Sequence, residues 1–137
     1  MNILIDTNVA LDVLLNRVDF YNGSAGVFTM AEKKFVSGYI SASAITDIFY
    51  IAQRKLGKKP TKEAIKRVLK VVHPATVTGN DIYKALYLDW DDFEDSVQYI
   101  VGEGLAVDYI VTRNTQDFSS GSIPAVSPEQ FLETITS

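Results

Sequence analysis

Carboxylates are the residues of this chain whose types and spacing suit chemistry. Asp6 follows the apolar run Ile3-Leu4-Ile5, five of the seven residues from Asp89 to Asp95 are acidic, and Asp117 follows the segment Val111-Thr112-Arg113-Asn114. Each lies just past an apolar run or in the first turn of a helix that the pattern predicts. Brought together by a fold, such groups repel, since two unit charges 4 Å apart interact by about 4 kcal/mol near a protein surface. A divalent cation among them removes the repulsion, and oxygen ligands suit Mg²⁺ or Mn²⁺ rather than zinc. Such a centre serves phosphodiester chemistry.

Composition closes most other routes. The chain has no cysteine, which excludes disulfides, thiolate metal sites and cysteine nucleophiles. Its one histidine, His73, precedes Pro74 and reads as a helix-end or turn residue, so histidine triads and zinc hydrolase centres lack their parts. With 137 residues, 47% of them apolar, and no low-complexity tract, one compact domain over 1–137 is expected. No run is long and apolar enough for a bilayer span, and the N-terminus shows no basic region with a cleavage site, so a cytoplasmic location is expected.

Each candidate carries a structural alternative. Asp6 and Asn8 flank Thr7 as a metal ligand with its support, or all three simply cap a helix. Asp47 lies opposite the apolar stripe of Ile45, Ile48, Phe49 and Ala52, facing solvent or a cleft. Asp91 and Asp95, at i, i+4, and Asp92 and Asp95, at i, i+3, occupy first-turn positions that the helix dipole favours by about 0.3–1 kcal/mol each. Five acids in seven residues exceed what capping needs, and Asp95, one turn inside, is the metal candidate among them. Asn114 and Asp117 have capping spacing but follow a strand, which also suits a metal site. Charge is uneven: eight of the thirteen basic residues fall between Arg54 and Lys70, and Lys62, Lys66 and Lys70 share a helix side at i, i+4 spacing. They form either a ridge for a phosphate backbone or an ordinary solvated face.

The elements that must position these groups follow from periodicity and caps. Strands are predicted at 2–5, 38–41, 75–78, 107–112 and 123–126. Helices are predicted after Asp6 to about Leu15, over 19–35, from a Ser43 cap to Gly57, over 62–72 from a Thr61 cap after a Lys58-Lys59-Pro60 turn, over 79–88, from Asp91 or Asp92 onward, and after Ser127-Pro128. Asn114 to Phe118 is read as a capped turn. Helices alternating with about five short buried strands predict a three-layer α/β/α fold around a parallel sheet. Sites in such sheets form at the carboxyl ends of strands, where Asp6 and the segment Thr112 to Asp117 fall.

In this order the motifs resemble those of the PIN (PilT N-terminus) domain family of metal-dependent nucleases, and among its bacterial members the VapC-type toxin ribonucleases. The resemblance runs from about Ile3 to Leu132. It rests on Ile3-Leu4-Ile5-Asp6-Thr7-Asn8, on Ser43 to Tyr50, on Asp92-Phe93-Glu94-Asp95-Ser96-Val97-Gln98, and on Ile110-Val111-Thr112-Arg113-Asn114 through Asp117-Phe118. Ile123 to Phe131 is similar to a common ending in the family. Asp47 stands where the family usually has glutamate, and Asn114 where an acid often follows the Thr-Arg pair, leaving that role to Asp117.

The resemblance implies a Mg²⁺- or Mn²⁺-dependent endoribonuclease. Asp6 and Asp95 would anchor the ion, Asp117 would complete its shell, and Asp47 would bind a second ion or orient water. Thr112 or Asn114 would hold the attacking water, with Asn8 and Asp92 in support, and Lys62, Lys66, Lys70 and Arg113 would meet RNA. It also implies a homodimer and an antitoxin whose basic side chain enters the acidic pocket. Two alternatives stand beside it. One is a PIN fold that binds RNA or protein without catalysis. The other is a Mg²⁺-binding receiver domain, which wants paired acids after its first strand, an aspartate after a middle strand and a lysine after the last. Here Thr7, Gly79-Asn80 and Ser127-Pro128 stand at those places.

Overall fold

The computed structural model describes residues 1–136. Five strands form one sheet in which every pairing is parallel: β1 (Asn2–Ile5), β2 (Ser37–Ser41), β3 (His73–Ala75), β4 (Tyr109–Val111) and β5 (Ala125–Val126), in the spatial order β3-β2-β1-β4-β5. The helices are α1 (Thr7–Leu14), α2 (Tyr21–Glu32), α3 (Ala42–Leu56), α4 (Lys58–Val68), α5 (Gly79–Leu86), α6 (Phe93–Gly104) and α7 (Pro128–Thr136).

Strand alternation builds the layers. Ile3 and Ile5 enter one buried cluster with side chains of α1, α2, α3 and α7, whereas Leu4 between them enters a second with α5 and α6. Val111 and Ile110 of β4 divide the same way. Apolar residues on both sides of each strand are what a parallel sheet sandwiched between helices requires. The predicted three-layer α/β/α fold is the one observed.

Topology decides where a ligand belongs. The chain lays β1, β2 and β3 in one direction across the sheet and then returns to place β4 on the other side of β1. The order therefore reverses between β1 and β4, and the crevice beyond their carboxyl ends is the site such sheets offer. Asp6 immediately follows β1 and Thr112 immediately follows β4, with the Asp6 amide donating to the Val111 carbonyl at 3.0 Å.

Local chemistry sets the helix starts. Asp6 caps α1, Asp92 caps α6 by accepting from the Asp95 amide at 3.0 Å, and Thr78 with Asp81 forms a reciprocal capping box on α5. Several boundaries differ from the pattern. Ser41 rather than Ser43 caps α3, its hydroxyl accepting from the Ala44 amide. The predicted Lys58–Thr61 turn is instead the first turn of α4. Pro60 is tolerated there because first-turn amides lack helical partners, and the Thr61 hydroxyl donates to the Gly57 carbonyl at 2.7 Å rather than capping a later start. Gly57 joins α3 to α4 at φ +87°, a conformation that favours glycine. α2 starts at Tyr21, after a turn in which the Phe20 and Tyr21 amides both donate to the Arg17 carbonyl. The third strand is His73–Ala75, not 75–78, and β4 and β5 are shorter than predicted. His73 is thus a strand residue opposite Tyr39, their ring centroids 5.5 Å apart, not a turn residue.

Candidate active site

A pocket of about 450 Å³ opens at the switch point, and six carboxylates line it: Asp6, Asp47, Asp92, Glu94, Asp95 and Asp117. They arrive from four places in the chain, namely the end of β1, the middle of α3, the start of α6 and the short 3₁₀ turn Thr115–Phe118 after β4. Asn8 and Asn114 line the same pocket. Of the two orientations open to Asp47, the cleft is the one observed.

Asp6 is the most firmly held. Its side chain is only 6% exposed. Oδ1 accepts from the Thr7 amide at 2.7 Å and from Gln98 Nε2 at 2.9 Å, and Oδ2 accepts from Thr112 Oγ1 at 2.7 Å. Thr112, fully buried, also accepts from the Asn114 amide at 3.0 Å, so one hydroxyl ties the end of β4 to the end of β1. Gln98 is reached because α6 runs across the pocket: three residues beyond Asp95, it lies one turn further along the same side of the helix. Among the described residues its buried Oε1 meets no hydrogen-bond partner.

The acids perturb one another. Asp95 is pushed up to about 7, first by burial and then by the negative charges of Asp92, Asp6 and Asp117. Glu94 is pushed up to about 8, again first by burial and next by Asp47, with which its carboxyl shares a hydrogen bond, while the Thr7 hydroxyl opposes the shift. Repulsion of this kind calls for a cation. The donor set is all oxygen, which fits Mg²⁺ or Mn²⁺. Among the described residues no three acidic side chains stand close enough together to grip an ion as they are, so gripping one requires side-chain rotation.

Sequence reasoning passed over Glu94 and Gln98, and also Tyr50, Ile51 and Arg54 of α3, which line the same pocket. Glu94 was legible only as a flank of Asp95, although the run of acids carried the signal. Gln98 carried none until α6 was placed against β1. The basic candidates lie elsewhere. Lys62 and Lys66 border a separate apolar groove with Ile45 and Phe49, and Lys70 lines a depression with Lys34 and His73 at the opposite end of β2 and β3. Arg113, read from the sequence as an RNA contact, is engaged within the protein: its Nε donates to Asp12 Oδ2 at 2.8 Å and its guanidinium lies 3.9 Å from the centroid of the Phe20 ring.

Solved structures with the same fold include VapBC2 from Rickettsia felis bound to a promoter DNA fragment (TM-score 0.72, 13% identity, covering 93% of this chain and 98% of that one). VapC20 of Mycobacterium tuberculosis, described as a Sarcin-Ricin loop cleaving toxin, aligns with TM-score 0.71 and 13% identity over 87% of this chain and 95% of its own. A toxin-antitoxin complex from Klebsiella pneumoniae aligns with TM-score 0.65 and 18% identity over 91% and 96%. No curated protein sequence matches. The PIN domain profile matches residues 2–116, most of the chain and every acid of the pocket up to the turn that carries Asp117; the chain belongs to the PIN domain family.

Proposed function

We propose that the protein is a divalent-metal-dependent endoribonuclease, the toxin of a toxin-antitoxin pair, working with Mg²⁺ or Mn²⁺. The observation that carries this reading is the convergence of six carboxylates from four separate segments in one pocket at the sheet's switch point. Family membership supports nuclease chemistry. The neighbouring folds, a toxin described as cleaving the Sarcin-Ricin loop and two proteins solved with antitoxins or as VapBC, support the toxin role and an antitoxin partner. A homodimer is part of the same proposal.

Asp6, Asp95 and Asp117 would hold the ion, and Asp47 would reach a second ion or orient water. An ion of this kind acidifies water and offsets charge that develops on the phosphate under attack. The chain's own residues do the positioning. Thr112 and Gln98 fix both oxygens of Asp6, so its carboxylate keeps one direction with little entropy left to lose. Asp92 holds the first turn of α6 by capping it, which sets where Asp95 projects. Asn114 and Asn8 supply neutral polar groups beside the acids.

The test is cleavage of varied RNAs by purified protein with Mn²⁺ or Mg²⁺, against the chelated protein and Asp6→Asn. Cleavage that needs the ion and is abolished in Asp6→Asn supports the reading. Absence of cleavage across RNAs with the ion present overturns it and leaves a PIN fold that only binds.

A further inference from the structure

A strongly acidic pocket repels the polyanion it is proposed to cut, so the substrate needs cations and apolar surface beside it. α3 provides both on one face. Asp47, Tyr50, Ile51 and Arg54, at i, i+3, i+4 and i+7, all line the acidic pocket, as helical spacing requires of residues sharing a side. Arg54 is the one cation among the described residues that line this pocket, against six carboxylates. Even so it forms no ion pair or hydrogen bond among the described residues, and it lies exposed in the last turn of the helix. Tyr50 is 59% exposed and Ile51 39%, large apolar surfaces that the fold leaves uncovered at the mouth of a polar site.

Tyr50 also belongs to a second depression. It borders the apolar groove of about 400 Å³ formed with Ile45, Phe49, Ile65, Lys62 and Lys66, where its ring meets that of Phe49 edge-on at 5.6 Å. One aromatic side chain thus joins the acidic pocket to an apolar surface edged by two lysines. Among the described residues the Lys66 ammonium meets an exposed partner, Glu63 at 3.3 Å, a contact of little worth that a phosphate displaces readily. Stacking rings flanked by cations are how proteins hold single-stranded nucleic acid. A base can stack on Tyr50 only when it is free of its own helix.

We infer that the α3 face is the substrate track of this site: Arg54 takes a phosphate flanking the scissile one, Tyr50 stacks a neighbouring unpaired base, and the strand runs on toward Lys62 and Lys66. This inference rests on the ribonuclease reading and adds to it which part of the RNA is gripped and by what.

The experiment is equilibrium binding of a short labelled unpaired RNA, and of the same sequence within a duplex, to the protein with Ca²⁺ replacing Mn²⁺, joined to cleavage kinetics with Mn²⁺. Wild type binds the unpaired strand more tightly than the duplex. Tyr50→Ala weakens it about tenfold, while Tyr50→Phe retains binding because the ring is kept. Arg54→Gln raises KM more than it lowers kcat, and it reduces the slope of log affinity against log salt by about 0.7, the share of one phosphate contact on a single strand. Lys84→Ala, an exposed cation on α5, behaves as wild type. RNA bound and cleaved by wild type, with Tyr50→Ala and Arg54→Gln indistinguishable from it, overturns the track alone and leaves the α3 face to a protein partner. Equal affinity for duplex and unpaired RNA also overturns it. Absence of both binding and cleavage in wild type overturns this inference together with the ribonuclease reading.

Discussion

The side-chain amide of Gln98 donates to Asp6 Oδ1 at 2.9 Å, joining α6 to the end of β1 across 92 positions of sequence. The same amide leaves its Oε1 buried without a donor among the described residues. Two opposing terms follow. A hydrogen bond to a charged group contributes about 1.5–3 kcal/mol, and an unsatisfied buried acceptor costs about 1–3 kcal/mol. Gln98→Leu removes both, so the metal-free protein keeps its stability to within about 1 kcal/mol. Asp6, however, loses a donor that fixes its direction, and Mn²⁺ binds more weakly. Urea unfolding without metal and a calorimetric Mn²⁺ titration check the two halves. A large loss of stability with unchanged Mn²⁺ affinity would make Gln98 a packing residue only.

Asp95 tests whether the acids act on one another. Burial and the charges of Asp92, Asp6 and Asp117 hold its carboxyl protonated up to about pH 7. Above that pH the charged form is the strained one, and Asp95→Asn removes the charge while keeping the shape. Metal-free Asp95→Asn therefore melts higher than wild type at pH 8, by roughly 3–5 °C for each kcal/mol of repulsion relieved. Wild type in Mn²⁺ at a hundred times Kd gains about 2.7 kcal/mol by mass action, and the variant loses most of that gain. Thermal melts with and without Mn²⁺ read both effects. A fall in the metal-free melting temperature would place Asp95 outside the cluster.

The two upward shifts also set the pH dependence of the metal-free protein. Asp95 moves from 3.8 to about 7 and Glu94 from 4.5 to about 8. Folding therefore takes up protons between these limits. The stability linked to the two protonated groups is fully present below about pH 4 and is lost as pH rises through about 7 for Asp95 and about 8 for Glu94. The difference in melting temperature between wild type and Glu94→Gln/Asp95→Asn is thus smallest in acid and widens up to about pH 8, with the wild type falling below the variant. Mn²⁺ competes with those protons, so its affinity rises over the same interval. A pH-independent difference would show that the two carboxyls titrate normally.

The fold was legible because each level of the sequence agreed. Ile3-Leu4-Ile5 is apolar on both sides of a strand, Asp6 and Asp92 are cap residues, and helical segments alternate with strands. The placement of Asp6 was legible for the same reason, since a residue just past a buried strand lies at the carboxyl edge of the sheet, where such sheets offer a crevice. Boundaries around Lys58–Thr61 were not, because proline reads as a breaker although it fits the first turn of α4. Lateral placement was also hidden. No pattern in the sequence says that Gln98 meets Asp6, that Glu94 meets Asp47, or that Arg54 rather than Lys62 borders the pocket, because those relations exist only once α3 and α6 are laid against β1.

Arg113 shows what such placement does to a charge. Asp12, on α1, has no exposed side-chain surface, and it is met by Arg113 Nε at 2.8 Å, Ser24 Oγ at 2.9 Å and Arg17 at 3.4 Å. The Arg113 amide donates to Asn8 Oδ1 at 3.4 Å, so the residue between Thr112 and Asn114 is bound to α1 by both backbone and side chain. Removing one partner of a buried pair strands the other charge, at a cost of about 3–5 kcal/mol. Arg113→Leu is therefore destabilised by about 1–3 kcal/mol rather than that full amount, because Asp12 cannot reach water but keeps Arg17 and Ser24. Asp12→Leu is destabilised less, since Arg113 is 23% exposed and can turn outward. The double variant Asp12→Leu/Arg113→Leu recovers part of the Arg113→Leu loss, because no charge is left buried. Arg113→Lys does not rescue, as lysine lacks the planar group that lies on Phe20 while bonding Asp12. Urea unfolding of the four proteins reads the coupling. Additive effects of the two single changes would mean that Asp12 and Arg113 act independently, and that the loop bearing Asn114 is held by the Thr112 hydroxyl and the Arg113 amide.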